Sequence, residues 1–316
     1  MMNATHSVVP VFFACDDAYA PFLDITLESM RAFASPDRTY RVHILTSNMS
    51  SNNRCRIESL ADSHIQICFE EVEERLRDVA QKLHVRDYYS ITTYYRMFIA
   101  DWFPQYDKVL YIDADTVFNS DVAELYDVDL GDCLVAAAQE DVMATEPVFG
   151  RYVEVVLGVP RADYFSAGVL VMNLDLFRKE RLCDQFLELL GRCKYEVTQD
   201  QDYLNVLCRD RVLRLGYEWN CSPSEVMCHS VEPKLIHYKL LWKPWHYSGT
   251  RYEDYFWKYA DGSEYADEVR AMKNDFTEER AAADRQMYRN LMGLAARHMA
   301  QYGEDFEIDR QVLYHA

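Results

Sequence analysis

The sequence predicts an α/β protein: a Rossmann-like sheet flanked by helices, followed by a helical C-terminal segment. Three observations carry this expectation. The first third of the chain alternates short apolar, β-rich runs with amphipathic stretches, the pattern of parallel α/β sheets. One of the apolar runs, Lys108–Ile112, stops on the acidic tripeptide Asp113-Ala114-Asp115. Finally, 49 % of the 316 residues are hydrophobic and 27 % charged, with only 10 Gly and 9 Pro, which supplies a large core and excludes a fibrous or disordered chain.

In order, Val8–Cys15 reads as a buried strand, followed by a helix over Ala20–Ala34 with Leu23, Leu27 and Met30 at helical spacing. Arg41–Leu45 is a second strand, Asn53–Ala61 a helical stretch, Ile65–Phe69 a third strand and Val72–Leu83 a charged helix. Thr92 fits the N-cap of a helix over Thr93–Trp102. Cys133–Ala138 and Ala167–Met172 are small, apolar central strands. A helix runs from Asn173 to Leu190, and another from Thr198 to about Cys208, where Thr198 and Gln201 have the spacing of a capping box. Lys234–Ile236 is a last strand, leading through His237-Tyr238 to the aromatic loop Trp242–Tyr247. From Arg251 the pattern becomes helical and Tyr-rich, so a boundary is placed near 250, dividing a body at 1–250 from an extension at 251–316.

Charge narrows the function. With 33 Lys+Arg against 52 Asp+Glu the net charge is −19, which excludes wrapping of nucleic acid and disfavours polyanions unless a cation or a local basic pocket intervenes. Nine cysteines without a C-x-x-C pair read as reduced thiols of a cytosolic protein. Met1–Ser7 has no basic n-region, and no apolar run approaches the ~18 residues that span a bilayer. A soluble, cytoplasmic protein is expected.

The acidic tripeptide carries the most chemistry. Side chains two apart on an extended chain point the same way, so Asp113 and Asp115 present two carboxylates from one strand end. Small Ala114 lets a ligand approach the backbone. Hard anionic oxygens at the carboxyl end of a strand suit Mg²⁺ or Mn²⁺, which in turn bridges a diphosphate. A solvated Asx-turn is the plainer alternative. The same D-x-D also resembles the first motif of haloacid-dehalogenase-type phosphatases. There it opens the first strand, whereas at least three strands precede it here, and no Gly-Asp-x-x-x-Asp follows.

Six blocks occur in order: Phe13-Ala14-Cys15-Asp16-Asp17-Ala18-Tyr19-Ala20, Ile91-Thr92-Thr93-Tyr94-Tyr95-Arg96, the Asp113-Ala114-Asp115 strand, Phe165-Ser166-Ala167-Gly168-Val169, Gln199-Asp200-Gln201-Asp202, and His237-Tyr238 with Lys243-Pro244-Trp245-His246. Together they resemble glycosyltransferase family 8 over about residues 8–250, most of all its bacterial lipopolysaccharide α-galactosyltransferase branch. The resemblance implies a GT-A fold, with a Rossmann-like mixed sheet, a UDP-sugar donor, Mn²⁺ and retention of anomeric configuration. It places Asp16 on the uracil or ribose and Tyr19 against uracil, with Ala14, Thr93, Arg96, Ala114, Ser166 and Ala167 also lining the donor site. Asp200 would meet sugar hydroxyls and Gln201 would lie near the anomeric carbon. His237 would complete the metal site with Asp113 and Asp115, moving its preference from Mg²⁺ toward Mn²⁺. Lys243 would reach the diphosphate, and Glu140 an acceptor. Gly168 would let the backbone pass the sugar.

Three positions depart from the family pattern: Ala18 and Ser166 stand where Asn is usual, and Leu240 where Gly is usual. Simpler roles also fit several residues: N-capping for Asp16, a surface salt bridge for Arg96 and a core position for His237. The implied function is transfer of galactose or glucose from UDP-galactose or UDP-glucose to a glycan or lipid-linked glycan acceptor, in lipopolysaccharide or surface polysaccharide synthesis. The phosphatase and a non-catalytic nucleotide-sugar-binding protein are the alternatives. The 251–316 segment, with 9 Lys+Arg against 14 Asp+Glu, does not support docking of a basic tail on the inner face of a membrane. Phe256 and Trp257 either form an apolar contact surface or pack in the core.

Overall fold

β-Branched and aromatic residues at 0 % exposure, among them Val9, Val11, Phe12 and Phe13, start the sheet with a strand buried on both faces. The computed structural model describes residues 7–77, 79, 83, 91–224 and 231–302. Its strands are β1 (Ser7–Ala14), β2 (Arg38–Thr46), β3 (Ile65–Glu71), β4 (Lys108–Ile112), β5 (Thr116–Phe118), β6 (Val135–Gln139), β7 (Phe165–Asn173), β8 (Val212–Arg214) and β9 (Leu235–His237). Seven of them form one mixed sheet in the order β3-β2-β1-β4-β7-β6-β8, and β5 pairs with β9 in a small second sheet.

β3, β2, β1 and β4 run parallel. β7 lies antiparallel between β4 and β6. That reversal matters for function, because it brings the start of β7 to the same sheet edge as the carboxyl ends of β1, β4 and β6. Ligands of open α/β sheets bind outside those ends.

Helices cover both faces. Ala20–Phe33 lies over one face, ten of its fourteen residues buried. It carries polar groups inward: Thr26 Oγ1 donates to Thr116 O at 2.7 Å, with Ala114 O 2.8 Å away, and Phe118 N donates to Ser29 Oγ at 2.9 Å. The second core, on the other face, gathers Tyr94, Phe98, Phe149, Tyr152 and Phe186.

Several sequence expectations shift. The Thr93–Trp102 helix is a 3₁₀ helix over Ile91–Phe98 continuing as α only over Ile99–Trp102, so Thr92 lies inside it rather than before its first turn. The helix expected from Asn173 to Leu190 is two, Leu174–Lys179 and Leu182–Arg192, separated where Arg181 takes φ 54°. A left-handed residue cannot continue an α-helix. Of Val72–Leu83, Glu73–Leu76 is helical, and residues 78 and 80–82 lie outside the described residues. Short strands β5 and β8 were not anticipated, since three residues carry too little periodicity to read.

The segment after 250 forms helices Glu253–Ala260, Ala266–Asn274 and Glu278–Tyr302, while 303–316 lie outside the described residues. Phe256 is buried beside Trp245 (centroids 5.1 Å) and Tyr238 (5.6 Å), so it packs in the core rather than forming a surface patch. Asp24 accepts from Ser263 Oγ at 2.6 Å across the same contact. Among the described residues, no helix is long and apolar enough to cross a membrane.

Candidate active site

The carboxylates of Asp113 and Asp115 follow β4 directly, and Asp113 N donates to Gly168 O at 2.8 Å, extending the β4–β7 pairing by one residue. His237 ends β9, opposite Thr116 in β5. Its Nε2 lies 3.3 Å from Asp115 Oδ1 and 3.6 Å from Asp113 Oδ2, and the three residues offer ligand atoms within 4.8 Å of one another. Nδ1 lies 3.0 Å from Asn220 Oδ1. A neutral ring donating there to the amide oxygen leaves the Nε2 lone pair facing both carboxylates, the tautomer a metal ligand needs.

The donor set is two carboxylates and an imidazole, and it fits a divalent cation. Gly168 makes the room: a Cβ at that position would stand 2.2 Å from His237 Cε1 and 2.7 Å from Asp113 Oδ2. The sequence suggested that Gly168 serves backbone approach to a sugar. In the structure its missing side chain is what lets the imidazole and carboxylate converge.

Arg96 anchors the next layer. At 4 % exposure it is no surface residue. Nη2 donates to Asp113 Oδ1 at 2.9 Å, Nε lies 3.0 Å from Asp200 Oδ2, Nη1 donates to Ala167 O, and the guanidinium sits 4.2 Å from the Tyr111 ring centroid. Nε also donates to Thr93 O at 2.9 Å, since a 3₁₀ turn eclipses residues three apart. Tyr111 OH adds a bond to Asp113 Oδ1 at 3.1 Å. Burial pushes the Asp200 carboxyl up to about 7, with the Asp113 charge adding to the shift and Arg96 opposing it.

Gln201 is held by Ala167 N, which donates to its Oε1 at 2.9 Å, while its Nε2 donates to Tyr164 OH at 3.2 Å. The capping box therefore does not form. Thr198 Oγ1 donates to Asp202 Oδ1 at 2.7 Å, and the helix starts at Asp200 behind Gln199, whose φ is 53° and whose buried amide has no hydrogen-bond partner among the described residues. That strained residue turns Asp200 and Gln201 toward the cleft, a conformation the surrounding fold must over-determine.

At the β1 end, Asp16 does cap: its Oδ1 accepts from Tyr19 N at 3.1 Å. Asp16, Tyr19 and Ala14 nevertheless all line the cleft. Lys243 donates to Asp115 Oδ2, and its Nζ lies 5.3 Å from the Trp245 ring centroid. Burial alone would raise the Asp115 carboxyl, but the Lys243 ammonium holds it below the usual carboxylate range. Leu240 takes φ 57°, so the backbone adopts the left-handed turn that Gly would occupy more cheaply.

At the β6 end, Glu140 accepts from Val142 N at 3.3 Å and from Lys239 Nζ. Lys239 also reaches Asp141 Oδ1 at 2.6 Å, and Ser224 donates to Asp141 Oδ2. Burial raises the Glu140 carboxyl while Lys239 opposes it. The same carboxylates hold the buried Lys239 ammonium above its ordinary value.

All sixteen residues given a site role in the sequence, including Ser166, Ala114, Ala167 and Gly168, line this one cleft of about 190 Å³. Sequence reading missed Asn220, Thr26, Lys239 and Leu291. Lys239 was findable: it lies two residues after His237, so an extended chain would turn both to one side. Asn220, Thr26 and Leu291 carry no local signal.

Solved structures similar to this one include glycosyltransferases. The galactosyltransferase LgtC, crystallised with donor and acceptor sugar analogs, is 27 % identical with a TM-score of 0.68, covering 81 % of this chain and 96 % of its own. The bifunctional glycosyltransferase WbbM is 27 % identical with a TM-score of 0.75 over 87 % of this chain, which spans about half (53 %) of WbbM. The fold is thus a GT-A fold and the protein a hexosyltransferase. The chain belongs to glycosyl transferase family 8, which it matches over residues 10–249. Similar proteins include a putative glycosyltransferase of Haemophilus influenzae, 24 % identical over 75 % of this chain and 72 % of that one. Another is the lipopolysaccharide 1,3-galactosyltransferase of Salmonella typhimurium, 28 % identical over 69 % and 67 %. Family membership sets aside the phosphatase alternative.

Proposed function

We propose that the protein transfers galactose or glucose, with retention, from UDP-galactose or UDP-glucose to a glycan or lipid-linked glycan hydroxyl in lipopolysaccharide or surface polysaccharide synthesis, acting in the cytoplasm. The observation that carries this reading is the convergence of Asp113, Asp115 and His237 around Gly168, next to the Lys243 ammonium. Asp113, Asp115 and His237 would hold Mn²⁺, or Mg²⁺ as the harder alternative. Bound there, the cation supplies Lewis-acid neutralisation of the diphosphate leaving group.

The chain's own residues do the rest. Asp16 and Tyr19 would bind the nucleoside, and Lys243 would meet the diphosphate as a point charge. Thr93, Arg96, Ser166 and Asp200 would orient the sugar, with Arg96 also holding Asp113 and Asp200 in place. Glycosyl transfer passes through an oxocarbenium-like state. Gln201 is an amide, and Asp200 and Glu140 are ion-paired to Arg96 and Lys239, so none of these three is offered as a covalent nucleophile. Front-face attack follows: the C1–O bond to the β-phosphate breaks, the acceptor oxygen bonds C1 on the same face, and its proton passes to the departing diphosphate. The chain would divide into a transferase body at 1–250 and an extension at 251–316, whose described helices, from Glu253 to Tyr302, pack against that body through Phe256 and Tyr288.

Hydrolysis of UDP-galactose and UDP-glucose with Mn²⁺, scored as released UDP, tests the reading. Turnover in the wild type should fall at least about 1,000-fold in Asp113→Ala and in Asp115→Ala. Background turnover in the wild type, or unchanged turnover in both variants, would overturn it. Donor binding without any turnover would instead mark a non-catalytic nucleotide-sugar-binding protein.

A further inference from the structure

The end of the cleft farthest from the Asp16 side is built differently from the rest. Two strand spacings, roughly 10 Å, separate the β4 end that carries Asp113 from the β6 end that carries Glu140. Around Glu140 the lining turns apolar: Val142, Met143, Phe149 and Leu291 are each at most 6 % exposed, yet all border the cleft. Leu291 comes from the helix Glu278–Tyr302, beyond the family-matched residues. That helix is seated by Tyr288, edge-on to Phe149 (5.7 Å, 87°), by Tyr247 OH donating to Asp284 Oδ2 at 2.8 Å, and by the buried Ala295. The position of Leu291 on the wall is therefore held from several sides.

The charges at this end have one sign left over. Lys239 is bound by both Glu140 and Asp141, so the three together carry one net negative charge. A pyranose offers an apolar C–H face and a hydroxyl rim, which match an aliphatic wall and a carboxylate. A second anion does not match, since like charges across a desolvated contact cost several kcal/mol.

Resting on the transferase reading above, we propose that Leu291 is a specificity-determining residue. It forms, with Met143 and Phe149, the wall against which the apolar ring face of a neutral hexose acceptor lies while Glu140 takes its hydroxyls. The C-terminal helix is then part of the acceptor site, and anionic acceptors are rejected.

Transfer is measured with Mn²⁺ and UDP-galactose or UDP-glucose to methyl β-galactoside, methyl β-glucoside, lactose and methyl β-glucuronide, the last being the anionic counterpart of the glucoside. The wild type should use at least one neutral probe, with kcat/KM for the glucuronide at least tenfold below that for the glucoside. Leu291→Ala and Leu291→Asn should raise the acceptor KM about tenfold while the donor KM moves less than twofold. Leu291→Met, which keeps volume and apolarity, should restore it. Melting temperatures of all variants separate wall effects from unfolding. The proposal is overturned if no neutral probe accepts while UDP-sugar hydrolysis proceeds, if the glucuronide matches the glucoside, or if donor and acceptor KM move together. Loss of hydrolysis in the wild type itself would instead sink the transferase reading.

Discussion

The two ends of the cleft solve different problems with different materials. The donor end is ionic and cross-tied: Arg96 joins Asp113 to Asp200, Lys243 joins Asp115, and His237 faces both carboxylates from β9. The acceptor end has one buried charge cluster and otherwise aliphatic and aromatic surface drawn from three separate helices. Precise placement of charge requires rigid strand ends, because a small displacement of a ligand atom costs much of its binding. Selection of a neutral sugar face requires only shape and dryness, which helices outside the sheet supply. Chemistry is thus expected to be intolerant of change at the first end, and substrate choice adjustable at the second.

The sharpest way to break this contrast is Gly168→Ala. Its Cβ would collide with His237 and Asp113, so Mn²⁺ affinity by calorimetry should fall about 100-fold, equivalent to about 2.7 kcal/mol, in a protein that still folds. Wild-type affinity would show that the donor end yields after all.

Asp24→Asn tests whether the C-terminal segment is clasped to the helix that props the Asp113–Asp115 turn. Burial lifts the Asp24 carboxyl up to about 6, above its unfolded value. Its ionisation therefore costs stability above pH 6, and the cost disappears as pH falls toward 4. The variant should be more stable than wild type by about 2 kcal/mol at pH 8 and by nothing at pH 4, measured by urea unfolding. An equal gap at both pH values would exclude Asp24 ionisation as its cause.

The smallest effect belongs to the acceptor wall. Tyr288→Leu removes the edge contact with Phe149, worth about 1 kcal/mol. A lower melting temperature and an acceptor KM raised about threefold should accompany unchanged Mn²⁺ affinity. A shift in metal affinity would mean that the two ends are coupled.

Much of the donor end was legible, because it sits where strands stop and its residues keep fixed offsets: Asp113 with Asp115, Thr93 with Arg96, Asp200 with Gln201. Legibility failed where a side chain had two local options. Thr198 and Gln201 satisfied the spacing of a capping box, yet Ala167 on β7 and Tyr164 just before it claimed Gln201, and Asp202 claimed Thr198. The break at Arg181 was likewise invisible, since nothing in the residue types there demands a positive φ. Asn220 and Thr26 act through partners 17 and 88 positions away, beyond any periodicity.

By itself the sequence determined the alternating α/β architecture, the strand that ends in two carboxylates, and the family blocks in their order. These depend on local period and short offsets, which the chain carries wherever it goes. Only the tertiary structure decided that β7 runs backward between β4 and β6, that Gly168 serves the imidazole and carboxylate, and that the helix Glu278–Tyr302 places Leu291, 51 residues beyond Leu240, in the same cleft. Those outcomes come from packing of distant elements, where burial and excluded volume choose among partners that no local pattern names.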